Sequence, residues 1–280
     1  MKQLVLKVAL ASIGFCAIVP SWAQDAVEWA SFMEPAAPIE RHGPVADEQF
    51  GVIKQGGPWH QLESNRWGPD EARLIALLKS KKWGDAAAWL KDKTPDVNAR
   101  EPISGATALS LASIDGRLDL VRELIRYGAE LDRIGAGGWT PLGAAAFQGH
   151  ELVARDLIRK GARLDAPGAS GQLPLHLACA TGQTRMIELL IREGADWQDF
   201  NRQGRHAMAE AALFGQLPAM QTLQRLGANY QEPDRYGLNA VHAAALGEQR
   251  STLAYLQAQQ VPVPSVITQI MIEQLAQSAQ

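Results

Sequence analysis

Residues 171–182 read Gly171-Gln-Leu-Pro-Leu-His-Leu-Ala-Cys-Ala-Thr-Gly182, and an apolar helical face, Met186, Ile187 and Leu190, follows before Gly194-Ala-Asp196. The same landmarks recur along the chain. Gly105, Gly138, Gly171, Gly204 and Gly237 are evenly spaced, each at +33 from the one before. A second glycine stands at +11 in each unit but the last, at Gly116, Gly149, Gly182 and Gly215. A third stands at +23 and is followed by alanine, at Gly128, Gly161, Gly194 and Gly227. A fixed period of this length marks stacked supersecondary units that bury their apolar faces against one another.

Each residue type in the unit has a mechanical reason. The first glycine suits a tight turn that needs positive φ. Thr140-Pro141 then opens a helix, the hydroxyl capping free N–H groups and proline filling the first helical position. At +7 stand Ala112, Ala145, Ala178, Ala211 and Ala244, small enough for helices to approach closely. The glycine at +11 ends this short helix in a left-handed cap. A second helix carries apolar residues at +15, +16 and +19, such as Leu120, Val121 and Leu124, which share one face.

Thr140-Pro-Leu142, Leu173-Pro-Leu-His-Leu-Ala178 and Gly194-Ala-Asp196, with Asp96-Val-Asn98 and the turn residues Asn201 and Asp234, resemble the ankyrin repeat family. The resemblance runs from about residue 70 to residue 264. It implies an all-α solenoid of helix pairs joined by β-turn and hairpin loops, each unit touching its neighbours. It also implies a non-enzymatic protein that binds another protein through turn tips and inner helices. In that family the inner surface is built from residues flanking the first glycine and from those at +9 and +10. On this chain those positions include Trp139, Phe147 and Gln148, then Arg202, Arg205, Leu213 and Phe214, then Arg235 and Tyr236. Aromatic residues and arginine are the types enriched at interface hot spots. The expectation is an apolar groove with a cationic end, in which Arg205 is a rim charge.

The N-terminus reads as a cleaved secretory signal over residues 1–23. Lys2 and Lys7 precede an apolar run over residues 8–19, and Ser21-Trp-Ala23 places small residues at the cleavage positions. The run is shorter than the roughly 20 residues a spanning helix needs. Phe15 is too large for the residue before a lipid-modified Cys16. Cleavage leaves 25 basic against 30 acidic residues, a net charge of −5. That balance argues against nucleic acid as the main partner, which would need a basic footprint. Cys179 is then the lone thiol, so no intrachain disulfide can form, and its place on an inner helix suits a small buried hydrophobe. The short leader and disulfide-free chain suit a bacterial periplasm, with release from the cell as the alternative. Neither stable membrane insertion nor oligomerisation is expected.

Residues 24–69 carry no repeat. Pro35, Pro38, Pro44, Pro58 and Pro69 interrupt them, while Trp29, Phe32, Phe50, Trp59 and Trp67 are costly to leave in water. Two readings stand: a lid over the first repeat, or a partner-docking arm. Residues 70–104 read as a degenerate unit with a helix break at Gly84-Asp85. Repeats follow from near 105, 138, 171, 204 and 237. In the last of them Glu248 and Gln260 replace glycines, Pro262 and Pro264 are expected to stop its second helix, and residues 265–280 form a final helix using Ile267, Ile270, Met271 and Leu275. The repeat at Gly204 is expected to be the weakest. It has His206 for the capping threonine, Ala209 for the histidine at +5, and Gln224 where other repeats have isoleucine.

Nothing in the chain spells a catalytic, cofactor or metal motif. The six histidines lack the short spacing of a zinc helix, and one cysteine cannot build a thiolate site. No phosphate loop or nucleophile elbow is present. The expected function is that of an exported protein-interaction module. Alternatives are an immunity-type partner that sequesters an enzyme or toxin, and a secreted effector acting on a host protein.

Overall fold

The computed structural model describes residues 68–277. The expected leader at residues 1–23, and the expected arm over residues 24–69 apart from its last two residues, lie outside the described residues. A leading unit consists of α1 (Pro69–Lys79) and α2 (Trp83–Lys93). The first repeat holds α3 (Ala108–Ile114) and α4 (Leu118–Arg126), and the second α5 (Pro141–Gln148) and α6 (Glu151–Arg159). The third holds α7 (Pro174–Ala180) and α8 (Thr184–Arg192), the fourth α9 (Ala207–Leu213) and α10 (Leu217–Arg225). The fifth holds α11 (Ala240–Leu246) and α12 (Arg250–Ala258), and α13 (Val266–Gln277) follows. No strand occurs among the described residues.

The helices form two rows. First helices stack in the order α1, α3, α5, α7, α9, α11 and α13, and second helices in the order α2, α4, α6, α8 and α10. The five alanines at +7 are fully buried, at 0% exposure, which is how the first row closes up. At +4 stand Leu109, Leu142, Leu175, Met208 and Val241, all buried. Each such side chain contributes on the order of 2 kcal/mol through burial.

The glycines at +11 have two jobs. Their φ angles run from 67° to 75°, the left-handed region. Each also receives the residue at +12 of the next repeat: a Cβ on Gly116, Gly149, Gly182 or Gly215 would lie 2.3–2.7 Å from His150, Gln183, Gln216 or Gln249. His150 Nε2 donates to the Ile114 carbonyl at 2.8 Å across this seam.

The leading unit and the fifth repeat keep the left-handed turns without glycine. Lys81, Thr94, Glu248 and Gln260 have φ of 57°, 43°, 56° and 56°. The expected break at Gly84-Asp85 is therefore corrected. The turn is at Ser80–Lys82, and Gly84 is the second residue of α2. Likewise α12 ends at Ala258, with Gln260 turning the chain before either proline is reached. The expected final helix is formed over Val266–Gln277, but Ile270 is 48% exposed, while Ile272, with Met271 and Leu275, faces the core.

Capping corrects the expectation for the fourth repeat. Thr107 and Thr140 cap α3 and α5 through their hydroxyls, and Leu173 offers α7 no side-chain cap. His206 does cap α9: its Nδ1 accepts from the Ala209 N–H at 3.2 Å. Its Nε2 meanwhile donates to the Glu232 carbonyl at 3.0 Å, tying down the loop into the next repeat. An imidazole here does the work of both the capping threonine and the linking histidine. Gln224 is also engaged, accepting from the Tyr230 hydroxyl at 2.7 Å.

Candidate partner-binding surface

The loops between repeats are hairpins closed by backbone bonds. Gly135, Gly168, Asn201 and Asp234 each donate an N–H to the carbonyl four residues on, at 2.7–2.9 Å. Asn201 and Asp234 stiffen their turns with side-chain oxygens. Asn201 Oδ1 accepts from the N–H groups of Gln203 and Arg205, and Asp234 Oδ1 from those of Tyr236 and Leu238. Adjacent hairpins are joined at their tips. Ala169, Arg202 and Arg235 donate N–H to the carbonyls of Gly138, Gly171 and Gly204, at 2.7, 3.2 and 2.9 Å. A continuous rim of backbone is the result, and the candidate residues hang from it or from the ends of the first helices.

Trp139 and Phe147 come together. Their rings stack with centroids 4.4 Å apart and planes inclined by 26°. Gly137 and Gly138, at φ 70° and 73°, let the chain turn the indole onto α5. Both rings are half-buried, and they stand outside the hydrophobic core cluster of the described residues. Gln148 is half-buried beside Phe147 at the end of α5. Phe214, by contrast, is half-buried and packs against the core.

Two expected surface residues are corrected. Leu213 is only 6% exposed and belongs to the core. Arg205 is no rim charge. Its Nε donates to Glu210 Oε2 at 2.9 Å, and the two side chains are 13% and 2% exposed. Glu210 also accepts from Gln172 Nε2 and Asn201 Nδ2, each at 3.1 Å. Asn201 Nδ2 further donates to Gln172 Oε1 at 3.1 Å, so one buried network joins the third and fourth repeats. Its neighbour His176 donates Nε2–H to the Arg205 carbonyl at 2.9 Å. Burial pushes the His176 imidazole pKa down, so the ring is held neutral. Its Nδ1 has no hydrogen-bond partner among the described residues.

Arg202, Arg235 and Tyr236 do lie on the surface. Tyr236 is 68% exposed and lies against Gly204. Arg235 sits over the ring of Phe200, 5.5 Å from its centroid. Phe200, 41% exposed, is a surface aromatic that the repeat register passed over. It stands four residues before Gly204, where other repeats place Ile134, Pro167 and Pro233. An aromatic in that turn position was the available signal.

Cys179 is fully buried, and burial raises its thiol well above the usual range, so little thiolate is present to react. Asp156 is a structural carboxylate: a hydrogen bond from Arg122 holds it below the usual carboxylate range, and Arg159 Nη2 donates to it at 2.7 Å. Among the described residues no group of three His, Cys, Asp or Glu side chains is placed to hold a metal ion. No helix among them is long and apolar enough to cross a membrane.

Helix pairs stacked at a fixed sequence period, with hairpin tips tied edge to edge, define a helical repeat solenoid. The family description "Ankyrin repeats (3 copies)" matches residues 75–168 and 161–234, more than half of the chain. The chain belongs to the ankyrin repeat family, whose members are typically non-enzymatic protein-interaction modules. A comparison with curated proteins found no match.

Proposed function

We propose that this chain is an exported, non-enzymatic module that captures a partner protein on its inner surface, with Trp139 and Phe147 as the anchor. The observation that carries the reading is the stacked, half-buried pair standing outside the core cluster. Stacked on Phe147, the half-buried Trp139 indole is a rigid aromatic surface of the kind that anchors a partner's apolar group. Phe214 extends the same kind of surface but also supports the core.

The test is capture of a partner from cell fractions on immobilised protein, followed by affinity and melting temperature for variants. Trp139→Ala is expected to weaken binding by about 2 kcal/mol, roughly thirtyfold, with the melting temperature nearly unchanged. Normal binding by this variant would remove the anchor. Loss of binding that tracks loss of folding would make the pair structural.

Export is the second half of the proposal, supported by the basic start, the apolar run and Ser21-Trp-Ala23. Intact-mass measurement of protein recovered from the producing cell is expected to give an N-terminus at Gln24. A mass that retains residues 1–23, or lipid on Cys16, overturns it.

A further inference from the structure

We propose that the hairpin tips of the last two repeats form a second recognition surface, for an extended acidic segment of a partner protein. The inference rests on reading the chain as a protein-binding module. Arg202 and Arg235 occupy the same register position in consecutive repeats, just before Gly204 and Gly237 with one residue between. At that position the earlier repeats carry Ile103, Ala136 and Ala169, so the charge is confined to one end of the rim. Both arginines are exposed, and neither makes an ion pair among the described residues. Exposed Arg155, Arg185 and Arg192 on the second helices also lack an ion pair among the described residues, so what sets Arg202 and Arg235 apart is their shared place on consecutive hairpin tips.

The surroundings suit a peptide. A depression of about 440 Å³ opens between the tips, lined by Pro167, Ala169, Leu173, Phe200, Arg202 and Arg235. Tyr236 offers an exposed aromatic ring beside it, and Phe200, partly exposed, carries the Arg235 guanidinium over its ring. No carboxylate among the described residues is ion-paired with either arginine. Asp234 is occupied by two backbone N–H groups of its own turn.

Spacing selects the ligand's conformation. The tips ride on helices packed roughly 8–10 Å apart. A polyproline II segment has three residues per turn and rises about 3.1 Å per residue, so carboxylates at i and i+3 share a face about 9 Å apart. Each could meet one guanidinium in a forked, charge-assisted pair. The residues between them would lie on the aromatic faces, as proline-rich segments do in aromatic-lined grooves. Nucleic acid is the less favoured polyanion, because two cations neutralise few phosphates and the chain carries a net charge of −3.

The probe is a fluorescein-labelled peptide of three Glu-Pro-Pro units, titrated with the full chain by anisotropy. Saturable binding is expected, weakened about tenfold by the double variant Arg202→Gln with Arg235→Gln, and weakened by salt. The double lysine variant should bind with intermediate affinity, since lysine keeps the charge and loses the fork. Melting temperatures verify that each variant folds. No binding of the acidic peptide, equal binding of a Gln-Pro-Pro control, normal binding by the glutamine variant, or equal binding of oligothymidylate would each overturn the proposal. The titration needs no natural partner. Its failure leaves the Trp139–Phe147 surface standing, and failure of Trp139→Ala to affect capture leaves the titration readable.

Discussion

Replacing Glu210 by alanine is expected to destabilise the array by about 3–5 kcal/mol, the range for removing one partner of a buried ion pair. The carboxylate is almost wholly enclosed and accepts from Arg205, Gln172 and Asn201. Its loss leaves the Arg205 guanidinium without its ion-pair partner and takes one acceptor each from Gln172 and Asn201, in a space that water barely reaches. Arg205→Glu should be as damaging, since it sets a second carboxylate against the first. Glu210→Gln keeps an acceptor without the charge and should fall between alanine and the native residue. Urea unfolding with all three variants measures this; a midpoint for Glu210→Ala within error of the native chain would falsify the network's role. The result also bears on binding. Arg205→Glu would lower partner capture by loosening the third and fourth repeats, and its effect on association rate would say nothing about a rim charge.

Gly247→Ala is the second large effect, expected to cost on the order of 1–3 kcal/mol, as overpacking does. Gly247 has an ordinary φ of −82°, so its conformation alone would accept alanine. The obstacle is the preceding repeat: an added Cβ would stand 1.9 Å from the Leu213 carbonyl oxygen. Backbone cannot swing aside as a side-chain end can, so α11 would have to back away from α9. Glu248 beside it has the reverse problem, at φ 56° with a full side chain. Glu248→Gly should therefore stabilise by up to about 1 kcal/mol. Thermal melts of the pair should move in opposite directions. A neutral Gly247→Ala would mean that the fifth repeat does not seat on Leu213 in this way.

The constant glycine spacing made the stack legible before any coordinates, because it fixes both the hydrophobic face and the turn positions. Of the candidate site, the tip residues Arg202, Arg235 and Tyr236 were legible from register alone. Arg205 was not. Its burial depends on Glu210 five residues on and Gln172 in the preceding repeat, a meeting that only stacking creates. Leu213 was misplaced because register alone does not reveal that the packed array buries it. The cap on α9 was hidden in a histidine, whose imidazole Nδ1 reaches the N–H that a threonine hydroxyl would take. Phe200 escaped because it does not flank one of the periodic glycines.

The tip-to-tip bonds use main-chain N–H and carbonyl groups, so they are indifferent to which side chain the tip bears. Ala169, Arg202 and Arg235 make the same bond with unlike side chains. Recognition can thus be rewritten by point mutation at the rim while cohesion between units is inherited unchanged. A substitution at a tip can change what the rim presents without removing a bond between units.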